Sequence, residues 1–150
     1  MEAAFFEFGT DELGSRALNS RQIAVLAHRA ADAKKGIEPL LLDIRKLTDV
    51  AEYFLIVHGN SDRHVRAISD GVIEELRNKA TKPLHVEGLN DATWVLIDYG
   101  AVIVHVFHHQ TRKYYNLERL WGDAKVVKVK DPNERPAKKT RRSKPARNRR

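Results

Sequence analysis

Cysteine is absent from the 150 residues of the sequence. Its absence excludes disulfides, a thiol nucleophile and a zinc site with cysteine ligands. A reducing compartment is compatible with this composition. At this length one domain with a substantial core is expected, and the hydrophobic fraction of 42% is typical of a globular protein.

Long apolar runs are also missing. No stretch approaches the ~20 apolar residues that a membrane-spanning helix needs. A secretory signal begins with basic residues and a transit peptide avoids acids, but the first twenty residues carry four acids and Arg16 as the single base. The acids are Glu2, Glu7, Asp11 and Glu12. We therefore expect a cytoplasmic protein with no membrane partner.

Positive charge is unevenly distributed along the chain. Residues 131–150 contain nine Lys or Arg and two acids, a net charge of +7, whereas residues 1–130 carry eighteen bases and eighteen acids. Such a tail, without large apolar residues, is predicted to be disordered. It suits the phosphates of RNA, or it serves only to keep the protein soluble. The candidate RNA contacts are Lys138, Lys139, Arg141, Arg142 and Lys144.

Paired carboxylates are missing as well. Nucleotidyltransferases hold magnesium with two acids on one strand, usually Asp-x-Asp, whereas Asp43 and Asp98 are single acids on separate predicted strands. His105, His108 and His109 lie close together, but no second ligand cluster is spaced to complete a zinc site. We therefore predict no catalytic residue, no metal site and no cofactor.

The segment Gly59–Ser61 joins a predicted strand to a predicted helix. Its backbone N–H groups can bind an anion, or Ser61 can simply cap the helix. The segment does not match a P-loop, and no G-x-S-x-G motif supports a nucleophile, although Asp62 and His64 lie close to Ser61. Capping is the favoured interpretation.

Apolar periodicity predicts an α/β (α+β) domain around a mixed five-stranded sheet. Helices are predicted over about 21–35 and 62–79, and strands over 39–44, 53–57, 84–87, 94–97 and 101–107. A last helix, capped by Thr111 and ended by Gly122, is predicted up to Trp121. We divide the chain into a flexible leader (1–19), the domain (20–122), an extended edge segment (123–130) and a disordered basic tail (131–150). In the leader, Phe5, Phe6 and Phe8 either dock on the domain or remain free.

The stretch from Trp94 to Trp121 is the most apolar and aromatic of the chain, with both tryptophans and three of the four tyrosines. Strand alternation places Trp94, Leu96 and Asp98 on one face and Val95, Ile97 and Tyr99 on the other. The aromatic side chains are either core residues or anchors of a protein interface. The pattern alone leaves both interpretations open.

The order and spacing of several motifs resemble the Iojap-like ribosomal silencing factors of bacteria. The motifs are YFLIVHGNSDRHVRAISDGV, VEG, WVLIDYG, VIVHVF and RKYYNLERLW, between residues 53 and 121. The resemblance covers about residues 20–122. Family members often have an acid where this chain has Ala101, and a glutamate in the loop where it has His108-His109-Gln110.

The resemblance implies a regulatory protein and not an enzyme. Its expected fold is a nucleotidyltransferase-like core without the catalytic carboxylates. The expected partner is the large ribosomal subunit, bound through its ribosomal protein fourteen, where the factor blocks joining of the small subunit during nutrient limitation. A homodimer in the free state is implied too. The alternative function is a general RNA-binding module, and a nucleotidyltransferase-like enzyme is a less favoured one. The expected partner-binding residues are Trp94, Asp98, Tyr99, Tyr114, Glu118 and Trp121, with Asp98 and Glu118 meeting basic groups.

Overall fold

The computed structural model describes residues 17–130. The predicted leader, apart from residues 17–19, and the predicted basic tail with its five candidate RNA contacts lie outside the described residues. The described chain forms four helices and six strands. In chain order these are α1 (Ser20–Ala33), β1 (Ile37–Asp43), β2 (Tyr53–Gly59), α2 (Asp62–Asn78), β3 (His85–Glu87), β4 (Trp94–Asp98), β5 (Val102–His108), α3 (His109–Tyr115), α4 (Leu117–Leu120) and β6 (Lys125–Val127).

The strands form one mixed sheet in the order β3-β4-β5-β2-β1-β6. The central pair, β2 and β5, is parallel, and every other neighbouring pair is antiparallel. The predicted mixed α+β fold is confirmed, but the predicted count of five strands is wrong. The sixth strand, β6, has only three residues. It forms because Lys125–Val127 pairs with the edge of β1 that β2 leaves free, with Leu42 opposite Val126.

Helices α1 and α2 begin at side-chain caps. Asn19 and Gln22 form a capping box at α1, and the Ser61 side chain accepts a hydrogen bond from the His64 backbone N–H at α2. Both helices pack on the same face of the sheet, which we call the helix-covered face. Its buried strand residues are Leu41, Tyr53, Leu55, Val57, Val95, Ile97, Val102, Val104 and Val106. This face holds the main core.

Within residues 17–130, the opposite face is covered by the short helices α3 and α4 and by the connecting segments that carry Ile44, Ala51 and Ala124. Alternation along β2, β4 and β5 directs Phe54, Trp94 and Phe107 to this face, and we call it the aromatic face. Its cluster consists of Leu42, Ile44, Ala51, Phe54, Ile56 and Phe107, with Leu40, Trp94, Ile103, Leu117, Trp121 and Ala124 partly buried against it. One face of the sheet is therefore closed by two long helices, and the other is closed only in part.

Candidate functional site

Trp94, the first residue of β4, lies on the aromatic face and is held there on several sides. Its ring centroid is 4.9 Å from that of Phe107 and 4.8 Å from that of Tyr115 on α3. Its indole N–H donates to Nδ1 of His105 at an N···N distance of 3.2 Å. The indole is thus partly buried and fixed in orientation, as an interface anchor would be.

His105 lies under this cluster with only 5% of its surface exposed. Burial lowers the pKa of its imidazole to about 4, so the ring is neutral at pH 7. Because Nδ1 accepts from Trp94, the proton of the neutral ring is assigned to Nε2. Nε2 is buried and has no hydrogen-bond partner among residues 17–130. His105 is therefore a hydrogen-bonded core residue that serves as an acceptor for Trp94.

Helices α3 and α4 differ from the single helix that the sequence predicts from Thr111 to Trp121. The helical segment begins earlier, because the His108 side chain accepts from the Gln110 backbone N–H. It is broken at Asn116, which adopts φ 48° and ψ 58°, a left-handed conformation that asparagine tolerates better than most residues. The break separates Tyr114 and Tyr115 from Trp121, so these aromatic residues do not form one helical stripe.

Several large side chains of α3 and α4 point into solvent. Tyr114 is 81% exposed, Leu120 74% and Tyr115 51%. Trp121 is partly buried, and its ring makes an edge contact with Phe54 at 5.1 Å. Together with Trp94 they form a continuation of the aromatic face that is open to a partner.

Arg112 connects α3 to the sheet by hydrogen bonds. The sequence did not predict this role. Its side chain is 8% exposed, and its Nε donates to the Glu118 carboxylate at 2.7 Å. Its Nη1 donates to the Ile37 carbonyl at 3.1 Å and to His58 Nδ1 at 2.9 Å. Burial, and then the nearby guanidinium, lower the pKa of His58. An arginine in a short polar helix is usually a solvent-facing residue, so its burial could not be predicted.

Glu118 is therefore already paired within the domain. From the sequence, Glu118 is expected to meet basic groups on a partner. In the structure one carboxylate oxygen is bound by Arg112, and the other is buried without a partner in the described part of the chain. Its role in the structure is to hold α4. A direct contact to a partner would first require this ion pair to open.

Asp98 and Tyr99 also have internal roles. Asp98 Oδ1 accepts from the Gly100 backbone N–H at 2.7 Å and closes the turn between β4 and β5, where Gly100 has a φ of +86°. Tyr99 is 8% exposed and belongs to the main core. Burial raises the pKa of its hydroxyl to about 12. Tyr99 is expected from the sequence as an interface anchor, but its burial on the helix-covered face removes it from the open surface.

Side chains elsewhere that suggested chemistry are occupied by structural contacts. His64 Nδ1 accepts from the Asn60 backbone N–H, and its Nε2 lies 3.1 Å from the Lys34 carbonyl. The His64 ring also fills the space that a Cβ at Gly59 would need, at 3.0 Å. Asp43 is paired with Arg45, whose hydrogen bond lowers the pKa of that carboxyl.

Neither a metal cluster nor a membrane helix was found in the described part of the chain. Between residues 17 and 130, no three His, Asp or Glu side chains are grouped so that they could hold a metal ion. No helix in this range has the length and apolar character that crossing a bilayer requires.

A model of the family described as "ribosomal silencing factor during starvation" matches residues 17–150 of the chain. The "Ribosomal silencing factor RsfS" of Bacillus subtilis is 45% identical over 110 residues, which cover 73% of this chain and 93% of that protein.

Two crystal structures share the fold. A protein from Chromobacterium violaceum is 32% identical with a TM-score of 0.68, and the match covers 81% of this chain and 98% of that one. A protein from Bacillus halodurans is 37% identical with a TM-score of 0.65, covering 73% of this chain and 100% of that one. The family match over residues 17–150 and the identity to the Bacillus subtilis protein show that the chain belongs to the family of ribosomal silencing factors.

Proposed function

We propose that this chain silences ribosomes by binding the large subunit and physically blocking the small one. The observation that carries the proposal is the incompletely covered aromatic face, where exposed Tyr115 contacts the fixed indole of Trp94 and exposed Tyr114 and Leu120 are carried by the same two short helices. Large apolar side chains arranged around a rigid aromatic are typical of protein interfaces. The names of the relatives supply the ribosome as the partner.

The partner within the large subunit is ribosomal protein fourteen, as the family resemblance implies. Steric exclusion requires no catalytic group, since two bodies cannot occupy the same subunit face. The proposed contact surface is Trp94, Tyr114, Tyr115, Leu120 and the exposed edge of Trp121. Asp98, Tyr99 and Glu118 make contacts within the domain and are not proposed as direct contacts to the partner.

Sedimentation of purified protein with large subunits tests the proposal. Truncating a central aromatic anchor typically costs ~2 kcal/mol, about thirtyfold in affinity. We therefore expect Tyr115→Ala and Trp94→Ala to weaken co-sedimentation and to restore subunit joining, measured by light scattering. Thermal melts by circular dichroism identify variants that are merely unfolded.

A matched control distinguishes an effect of the proposed interface on binding from a general effect of exposed apolar side chains. Leu120 and Leu84 are exposed to almost the same extent, 74% and 75%, but Leu84 adjoins the turn at Gly100, away from α4. Leu120→Ala should weaken binding, and Leu84→Ala should not. Equal effects of the two substitutions, or wild-type protein that leaves subunit joining unchanged at saturation, would contradict the proposal.

A further inference from the structure

A groove of about 420 Å³ runs along the outer side of α1, away from the aromatic face. Its apolar floor is made by Leu18, Val25 and Leu26, all partly buried. The remaining lining residues are Asn19, Arg21, Gln22, Arg29 and Lys79. The groove thus combines an apolar floor with three cations, and no acid is among its lining residues.

The polar neutral groups of the groove are already occupied. The Asn19 side chain accepts from the Gln22 backbone N–H at 2.8 Å, and the Gln22 side chain accepts from the Asn19 backbone N–H at 2.9 Å. A ligand therefore meets aliphatic surface and the positive charges of Arg21, Arg29 and Lys79. An acidic segment with large apolar side chains fits this combination.

Residues 1–16 of this chain have that composition. They contain Phe5, Phe6 and Phe8 together with four acids and one arginine. The segment joins the domain beside the groove, since Leu18 is itself a lining residue. The segment lies outside the match to the family, which begins at residue 17. The basic tail is the poorer candidate, because its net charge of +7 is repelled by the three cations.

The length of the connection also suits docking. Leu18 follows Phe8 by ten positions. An extended chain of ten residue steps reaches about 33 Å, so the phenylalanines can fold back onto α1. A tether this short gives an effective concentration of the order of millimolar. Burying a phenyl ring is favourable, although ordering the segment offsets part of that gain. At this effective concentration a weak contact is sufficient for docking.

We propose that the acidic, phenylalanine-rich segment 1–16 binds within its own chain to the groove formed by Leu18, Val25, Leu26, Arg21, Arg29 and Lys79. The phenyl rings cover Val25 and Leu26, and the acids face the three cations. Arg29 Nη2 also lies 3.4 Å from the Lys130 carbonyl, so the docked segment lies beside the point where the chain leaves the domain toward its basic tail.

Paramagnetic relaxation in the full-length protein tests this contact. Because the chain has no cysteine, Ala3→Cys provides a single attachment site for a nitroxide. We expect the amide signals of Arg21, Gln22, Val25 and Lys79 to lose intensity, and those of β3 and β4 to keep it. Raised salt should weaken the effect in part, since the apolar contact remains.

Two variants serve as a matched pair. Arg21→Glu combined with Arg29→Glu reverses the charge of the groove and should restore the intensity of these signals. Arg63→Glu, at the start of α2 and hence near the opposite end of α1, should leave the broadening unchanged. Full intensity along α1 in the labelled wild type, or equal broadening in the groove variant, would overturn the proposal.

The other occupants are distinguished by two further measurements. A nitroxide at Thr140→Cys that broadens the same α1 signals would assign the groove to the basic tail instead. Signal loss in a ¹⁵N-labelled chain without nitroxide, mixed with spin-labelled chain at natural isotope abundance, would assign it to a second copy. Loss that appears only within one chain, and only from position 3, supports the proposal. None of these measurements involves ribosomes, so their outcome is independent of the proposed silencing function.

Discussion

His105 is a neutral imidazole enclosed by aromatic rings, with Trp94 donating to one nitrogen and Phe54 making an edge contact at 4.8 Å. Protonation would place a charge in this apolar cluster and would also abolish the acceptor that fixes Trp94. The orientation of Trp94, the proposed anchor, therefore depends on whether His105 is neutral or protonated.

We predict that His105 makes the fold sensitive to acid. Its pKa is about 4 in the folded protein against 6.5 in the unfolded chain, so below pH 6.5 the unfolded state binds the proton first. The stability contributed by the neutral ring is complete above pH 6.5 and is lost as pH falls toward 4. The loss at pH 4 is about 3 kcal/mol. Urea unfolding between pH 4 and 8 measures it.

The control is His105→Gln, which retains an acceptor for the Trp94 indole but does not titrate. His28 and His58 also have pKa values lowered by burial, and they remain in both proteins, so the difference between the two pH curves isolates His105. Parallel curves would show that His105 does not account for the acid sensitivity.

At the scale of elements, α3 and α4 are too short to be stable alone and depend on their attachment to the sheet. Arg112 provides that attachment through Glu118, His58 and the Ile37 carbonyl. The exposed tyrosines and Leu120 are carried by these two helices. The geometry of the proposed interface therefore depends on this buried guanidinium as well as on the packing of Tyr115, Leu117 and Trp121.

We predict that Arg112→Met destabilises the domain by about 3 kcal/mol, because it leaves the partly buried Glu118 carboxylate without its cation. Arg119→Met, on the same segment but exposed, should change stability by less than about 0.5 kcal/mol. Denaturant unfolding compares the two variants.

The double variant Arg112→Met, Glu118→Leu sharpens this test. Replacing both charges with apolar groups of similar size removes the unpaired carboxylate and should recover part of the stability. A single variant as stable as the wild type, or a double variant less stable than the sum of the single ones, would show that the ion pair does not hold α4.

The elements that sequence could predict are those with a strong local pattern. The apolar runs of β1, β2, β4 and β5 and the caps of α1 and α2 are recognisable, because alternation and capping are local. The break at Asn116 is not, since one left-handed residue leaves the helical spacing of the sequence intact. The sixth strand depends on pairing with β1, which no local pattern encodes.

The candidate site was predictable in part for the same reason. Alternation separates Trp94, Leu96 and Asp98 from Val95, Ile97 and Tyr99, and the structure has this division. Which face of the sheet α1 and α2 cover depends on tertiary packing. Because they cover the face that carries Tyr99, Tyr99 is a core residue and Trp94 is only partly buried. The contacts of Arg112 span up to 75 residues of sequence and leave no local signal.

At the scale of the whole molecule, the net charge of residues 1–130 is zero and the excess positive charge lies in residues 131–150. We predict that deleting these residues reduces the salt dependence of binding to large subunits. Removing one phosphate contact lowers the slope of log K against log salt by about 0.7–0.9. Sedimentation at several salt concentrations measures the slope.

The matched control keeps the length of the tail and replaces Lys138, Lys139, Arg141, Arg142 and Lys144 with glutamine. It should reproduce most of the change seen on deletion if charge is responsible. An unchanged slope would favour a tail that only aids solubility. Complete loss of specific large-subunit binding would favour a general RNA-binding module over the proposed silencing function.

The parallel pairing of β2 with β5 has a consequence for how the chain acquires its structure. Tyr53 pairs with Val102, so the two central strands are roughly fifty residues apart in sequence. During synthesis, β1 and β2 can pair early, but the other edge of β2 stays open until β5 has been made. Long-range pairing of this kind slows folding and leaves a strand edge available to other nascent chains. The β2–β5 pair at the centre of the sheet is therefore expected to close late, and to be sensitive to pauses in translation between residues 59 and 102.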